Sequence, residues 1–400
     1  MINLEIPRRF QPLIEQTHRV ATEVFRPNSR KYDQAEHAYP KELDVLSALI
    51  DGMNEATGGV AGAGKAARGK SGEGVRNGGN MATMLSIAEL CWGDVGLLLS
   101  VPRQGLGNAA IAAVASDEQL ARFGHKWVAM AITEPGAGSD SAAIRTTATL
   151  DGNDYVLNGE KIFVTAGDRA DALVVWASLD RNLGRAAIKA FLVERDRPGL
   201  TRVRLEKKLG IRASDTAAFA LQDCRVPREN LLGKPEIESG KGFAGVMQTF
   251  DNTRPLVAAM AVGLARASLE ETRARLKRAG VGLDYDAPPH TLTAAAAEFI
   301  AMEADWEAAR LLTLQAAWMA DNGQPNALQA SMAKAKAGRM VVDVTLRCCA
   351  LCGAAGYAED DLLEKWARDA KILDLFEGTQ QIQLLVVARR LLNKSSKELR

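Results

Sequence analysis

The feature that most restricts how this chain can fold is a double change of hydrophobic period along it. Up to about residue 125, apolar residues recur at helical spacing, as in Leu43, Leu46, Leu49 and Ile50 and in MATMLSIAELCWGDVGLLL (81–99). From about 126 the period becomes that of strands. WVAMAITE, IRTTATL, YVLNG, KIFVT, ADALVVWASL, AIKAFLVER, GLTRVRLEKK and TAAFALQDCRV follow one another, with Asp-Gly and Asn-Gly turns among them. Val226-Pro227 closes this series, and from about 240 four Ala- and Leu-rich helical segments follow, near 241–280, 291–321, 325–350 and 359–393. Short turns such as DNGQPN (321–326) make those helices antiparallel neighbours. The pattern predicts a multidomain α+β fold with a helical domain (1–125), an antiparallel β-barrel or sandwich (126–237) and a four-helix bundle (238–400).

Lys plus Arg is 50 and Asp plus Glu 49, which points away from nucleic acid or an anionic membrane as the main partner. The N-terminal MINLEIPRRFQPLIEQ has no apolar signal-peptide core, and no run is long enough to span a bilayer. A soluble, cytoplasmic protein is expected. Cys349 and Cys352 form a C-x-x-C, but no second pair or spaced His accompanies them, so buried thiols are expected and no metal. Gly64, Gly69, Lys70 and Ser71 fit a phosphate-binding loop, and Gly62, Gly64 and Ala67 a loose dinucleotide fingerprint. Both motifs require a strand before and a helix after; the flanks DGMNEATGG and GEGVRNGGN are neither, so a surface loop is the better reading.

The stretch RDAKILDLFEGTQQIQLL (368–385) concentrates chemical potential. Ile372, Leu373, Leu375 and Phe376 fit one buried helical face, Gly378 is a helix stop, and Thr379 is an N-cap for a second apolar helix. Glu377 thus sits at the break between two apolar helices, where a poorly solvated carboxylate suits a general base with a raised pKa. Taken alone, the stretch also fits an ordinary, partly exposed Glu at a helix end.

Five segments in order decide between these readings: AMAITEPGAGSDSAA (129–143), NGEKIFVTAGDRAD (158–171), KKLGIRASDT with VPRENLLG (207–233), GFAGVMQTFDNTRPLVAAMAVGLA (242–265) and DAKILDLFEGTQQIQ (369–383). Together they resemble the acyl-CoA dehydrogenase family, whose architecture is a helical domain, a β-barrel and a four-helix bundle. The resemblance implies FAD as cofactor and α,β-dehydrogenation of an acyl-CoA thioester to the trans-2-enoyl-CoA, with the β-hydrogen passing to flavin N5. It implies Glu377 as the base. It also implies that a backbone N–H of Glu377 and a flavin ribityl hydroxyl hold the thioester oxygen. Flavin contacts carry over to Met130, Ile132, Thr133, Ser139, Phe163, Thr165, Thr379 and Gln381, and substrate-side positions to Ser139, Asp251, Arg254 and Gly378. In isolation Thr133, Thr165 and Asp251 are ordinary strand and helix-end residues. The acyl pocket floor falls near 97–107, where Arg103 either meets a carboxylate or snorkels to solvent. An electron-transfer flavoprotein is the implied electron acceptor, and the β-oxidation of a fatty acid or a steroid side chain the implied setting.

Two departures concern residues that, in the family, a neighbouring subunit lends to each FAD. KRAGVGLDYDAPPHTLT (277–293) lacks the family's Phe-Gly and has Ala279 where an Arg is expected, with Arg278 one residue away. CCALCGAAGY places Ala350 at a Gln position and Ala354 at a Gly position. The chain's own flavin half and its base are intact. This resembles subunits of the heteromeric acyl-CoA dehydrogenases of actinobacteria, several of which act on steroid-derived thioesters. It implies an α2β2 assembly with a related chain, the alternative being a homotetramer. Two other functions compete: a nucleotide-binding protein resting on Gly64 to Ser71, and a non-catalytic scaffold subunit, which would not need Glu377.

Overall fold

The computed structural model describes residues 6–48, 78–103, 105–237, 244–395 and 398, with the backbone alone over 244–252. Both loop motifs between Gly62 and Ser71 lie outside the described residues. The chain opens with α1 (Gln11–Val20), which runs through a π-helical turn (Ala21–Phe25) into α2 (Arg26–Gln34). Pro27 explains the widened turn: it has no N–H to give and crowds the carbonyl four residues back. A further helical turn spans 42–48 and buries Leu43. Then α3 (Gly79–Gly93) begins on a cap supplied from far away: the Asp321 carboxylate accepts from the N–H groups of Gly78, Asn80 and Met81 at 2.8–2.9 Å. Two shorter helices, α4 (Leu106–Val114) and α5 (Asp117–Phe123), lead into the sheet.

The strands are β1 (Val128–Ala131), β2 (Thr147–Asp151), β3 (Asp154–Thr165), β4 (Ala172–Ser178), β5 (Ile188–Glu194), β6 (Leu200–Leu205) and β7 (Thr216–Pro227). They correct the expectation of an antiparallel barrel. The sheet is mixed and curled, a half-barrel in the order β1-β4-β2-β3-β7-β6, with β5 on β4. β1 and β4 are parallel, Val128 opposite Ala172, because the β2–β3 hairpin intervenes and the chain re-enters beside β1 in the same direction. The halves meet at a single parallel pairing, Thr147 with Ser178. Ala131, Val175 and Phe191 from one half and Leu157, Phe219 and Val226 from the other share a core. Ile111 and Phe123 cover the opposite face of β1, β4 and β5 at Met130, Val174 and Leu192. Burial on both faces accounts for the unbroken apolar run of β4.

The C-terminal part contains α6 (Ala244–Arg278), α7 (Ala294–Asp321), α8 (Ala327–Leu351), α9 (Leu363–Leu373) and α10 (Gln380–Leu392). The last helical segment is two helices, α9 and α10, with the break over 374–379 that includes Glu377, Gly378 and Thr379. The bundle core also takes in Cys91 and Val95 from the N-terminal part and Ile211 from the half-barrel. A side chain at Gly210 would collide with the backbone of Arg368 and Asp369, so glycine is what lets the loop lie against α9. There the N–H of Ile211 donates to Asp369 at 2.5 Å. Cys348 and Cys349 are buried, and burial pushes their thiols up to about 12 and about 11, which keeps them protonated.

Candidate active site

Helix α9 stops at Leu373, three residues before the apolar pattern ends, and Leu375 is exposed. The chain then takes two left-handed residues in succession, Glu377 (φ 55°) and Gly378 (φ 97°). Glycine takes that conformation freely, whereas for glutamate it costs on the order of 1–3 kcal/mol and must be held in place by the surroundings. The holding groups are in view. Lys334, fully buried on α8, donates from Nζ to the Gly378 carbonyl at 2.8 Å. Gln383, fully buried on α10, donates from Nε2 to the carbonyls of Glu377 (3.1 Å) and Gly378 (3.3 Å). The N–H of Gln380 returns to the Asp374 carbonyl at 3.1 Å, and the Thr379 hydroxyl caps α10 by accepting from Ile382.

Glu377 as a residue is half-buried, but its Oε2 is sealed from solvent and accepts no hydrogen bond. Burial pushes its carboxyl up to about 7, against a hydrogen bond from Thr253 and the charges of Lys334 and Arg254. Thr253 and Arg254 are both buried on α6. A carboxylate with an orphaned, dry oxygen and a near-neutral pKa is fitted to accept a proton from a weak acid. Lys334 itself is pushed down to about 8 by burial, opposed by Asp374 and Glu377 and reinforced by Arg254.

A second cluster forms where β1 runs into the TEPGAGSD loop. The Thr133 carbonyl accepts from the Ile162 N–H at 2.9 Å, and Glu134 and Ala137 exchange backbone hydrogen bonds at 3.1 Å each. The Glu134 side chain turns inward. It accepts from the N–H of Arg145 (2.6 Å), the N–H and hydroxyl of Thr146 (3.0 and 2.5 Å) and Lys161 Nζ (2.7 Å). Burial opposes its charge, yet Lys161, Thr146 and Arg145 together hold it below the usual carboxylate range. The clamped loop leaves Pro135, Gly136, Gly138 and Ser139 exposed. Next to Lys161, an irregularity in the β3–β7 pairing extrudes Phe163 at φ 56° with 59% of its surface exposed. Thr165 is half-buried opposite Thr216. Exposed backbone donors, threonine hydroxyls and a free aromatic face form a donor set that fits the polar edge and flat face of a flavin ring.

The structure therefore brings Glu377, Gly378 and Arg254 into one cluster, and sets Thr133 beside the strand that carries Phe163 and Thr165, with Ser139 exposed on the loop that follows Thr133. Met130 and Ile132 point their side chains into the core under α4 and α5, so these positions offer backbone to a ligand. Gln381 is exposed, and the Asp251 side chain lies outside the described residues. Arg103 is half-buried. Ala279, Ala350 and Ala354 are exposed, consistent with positions that face outward. Sequence reading missed Lys334, Gln383, Thr253, Glu134 and Lys161. One signal was available: Ala330, Lys334, Ala337 and Val341 share a buried face of α8, so a lysine interrupts an apolar stripe.

Comparison with known proteins places the chain in a family. The family description "Acyl-CoA dehydrogenase, middle domain" matches residues 129–224, and "Acyl-CoA dehydrogenase, C-terminal domain" matches 240–392. The short-chain specific acyl-CoA dehydrogenase of Clostridium acetobutylicum is 37% identical over 312 residues, 76% of this chain and 80% of that protein. The chain belongs to the acyl-CoA dehydrogenase family. Members are FAD-dependent oxidoreductases of acyl-CoA thioesters, and that class holds for this acyl-CoA dehydrogenase. The human mitochondrial short-chain specific enzyme is 34% identical over 400 residues, 98% of this chain and 92% of that protein. Among solved structures, butyryl-CoA dehydrogenase from Megasphaera elsdenii superposes with a TM-score of 0.84 at 30% identity, covering 98% of this chain and all of that one. No helix among the described residues is long and apolar enough to cross a membrane.

Proposed function

We propose that this chain removes the α-proton of an acyl-CoA thioester with the Glu377 carboxylate and yields the trans-2-enoyl-CoA. The observation that carries the reading is the dry, unpartnered Oε2 of Glu377, on a carboxyl held near neutrality and fixed by a left-handed turn. FAD, when bound, supplies the acceptor for the electron pair that leaves with the β-hydrogen. Thr133, Thr165, Phe163 and the backbone of the 133–139 loop would hold its ring. Glu377 receives the α-proton, and its backbone N–H is assigned to the thioester oxygen, where charge grows as the proton leaves. Thr253 and Arg254 keep enough of the carboxyl ionised to act near neutral pH. Relatives named short-chain specific support a short acyl chain as the first substrate to assay. An electron-transfer flavoprotein as acceptor follows from the family resemblance.

The test is Glu377→Gln. Turnover of short acyl-CoA thioesters should fall by at least ~10²–10⁴, with bound flavin retained. The acid limb of kcat/KM in the unsubstituted enzyme should have its midpoint at about 7. Retained turnover in the variant refutes the assignment.

One observation favours a subunit contact at this place, with a related chain or with a second copy. Leu346 and Tyr357, 54% and 71% exposed, lie with exposed Ala350 and Ala354 along α8 and the turn that follows it, the last two at positions that the family resemblance assigns to a neighbour's FAD. Expression of the chain alone decides this. Stoichiometric FAD on a pure homo-oligomer rejects the α2β2 reading in favour of a homotetramer.

A further inference from the structure

We propose that Lys334 is a positioning residue for Glu377: from α8 its ammonium, together with the Gln383 amide from α10, pins the carbonyls of the left-handed pair Glu377-Gly378 and so fixes where the carboxylate stands. The proposal rests on the reading of Glu377 as base. Its ground is geometric. Lys334 has no exposed surface, yet it lies on a helix face made mostly of small and apolar residues, Ala330, Ala333, Ala337 and Val341 among them, with no carboxylate on that face. An ammonium is costly in such a place unless it has a specific partner. The partner is the Gly378 carbonyl at 2.8 Å, at the one turn where the backbone departs from both flanking helices. Gln383 reaches the same carbonyl from the other side and adds that of Glu377. Two buried side chains from two helices thus converge on two consecutive peptide groups, the first of which is attached directly to the Cα that carries the carboxylate.

The charge of Lys334 has a second effect. The groups facing Glu377 are Thr253 and Arg254 from α6 and Lys334 from α8; those facing Lys334 are Asp374 and Glu377 from the turn and Arg254. Asp374 is engaged with Lys371 at 3.4 Å. Lys334 therefore favours the ionised form of Glu377 while its hydrogen bond fixes the turn. A lysine kept only for stability would do neither.

The test uses the flavin-loaded enzyme and the variants Lys334→Met, Gln383→Met and Glu377→Gln. The ionisation of Glu377 is followed directly by its infrared carboxyl band, assigned by its loss in Glu377→Gln. In Lys334→Met the midpoint should rise by about one pH unit and kcat should fall roughly 10- to 100-fold, with KM and bound flavin near the unsubstituted values. An unchanged midpoint or an unchanged kcat overturns the proposal. Should Lys334→Met fail to fold, Gln383→Met decides. That variant removes part of the clamp and none of the charge, so kcat should fall with the midpoint in place, and an unaltered kcat overturns the clamp. Retained turnover in Glu377→Gln would instead sink the base assignment. The infrared midpoint in Lys334→Met would still report whether Lys334 governs that carboxyl.

Discussion

Lys161 and Glu134 form an ion pair of 2.7 Å with the lysine fully buried and the glutamate nearly so, directly behind the bulge that turns Phe163 outward. The pair is asymmetric. Glu134 has backbone and hydroxyl donors from Arg145 and Thr146 as well as the lysine, whereas Lys161 adds the Ile132 carbonyl at 3.2 Å. Burial depresses Lys161 to about 8, while Glu134 is held low. The 2.7 Å contact and the extra donors on the carboxylate favour the charged form of both.

Glu134→Gln should therefore be the more damaging change, because it strands a buried ammonium. A loss of about 3–5 kcal/mol is expected, together with a lower ratio of flavin to protein, since the 133–146 loop loses its anchor. Lys161→Met leaves the carboxylate three donors and should cost less. Chemical denaturation of both variants checks the order; equal losses contradict the asymmetry.

Gly378→Ala tests the turn. At φ 97° a side chain is strained, and its Cβ would fall within contact distance of Gln383 Nε2. That amide cannot simply swing away, because it is buried and bonded to both carbonyls. We expect a stability loss of about 1–3 kcal/mol and a kcat decreased more than KM is raised. A variant with ordinary kcat would show that the turn tolerates displacement.

How legible these features were in the sequence depends on whether they are local. The left-handed Gly378 and the Thr379 cap are local chemistry and stand where the sequence puts them, immediately after Glu377. The end of α9 is not local: Leu375 and Phe376 continue the apolar pattern, but Leu373 is the last helical residue, because the chain is drawn into bonds with Lys334 and Gln383. The parallel β1–β4 pairing joins segments some forty residues apart, and no turn signal encodes it. Glu134 reads as part of a motif, but its partners Thr146 and Lys161 are distant in sequence, so only the fold discloses the clamp.

The raised pKa of Glu377 makes stability depend on pH. A carboxyl at about 7 in the fold and 4.5 when unfolded binds more protons in the native state between those values. The fold thus loses stability as pH rises through that window, by up to about 3 kcal/mol above it. Glu377→Gln removes this dependence. Relative to the unsubstituted chain it should gain stability between about pH 5 and about pH 8, as read from urea midpoints at each pH. A stability difference independent of pH would mean that the carboxyl is not raised.

The last prediction concerns the junction that sets α9 against the rest of the molecule. Lys365 is buried between Asp94 (2.7 Å) and Asp369 (2.5 Å), Ser29 donates to Asp94, and Asp94 and Asp369 in turn accept from the N–H groups of Leu97 (2.7 Å) and Ile211 (2.5 Å). One ammonium thus ties the first helices, the loop of the half-barrel and the helix leading to Glu377. Lys365→Met leaves two buried carboxylates facing each other, and a loss of about 3–5 kcal/mol is expected. Adding Asp369→Asn to that variant removes one of the stranded charges. The double variant should therefore be more stable than Lys365→Met alone, the opposite of what additive losses would give. Urea denaturation of the single variants and the double variant measures the coupling, and additive losses would show that the three charges do not act as a unit.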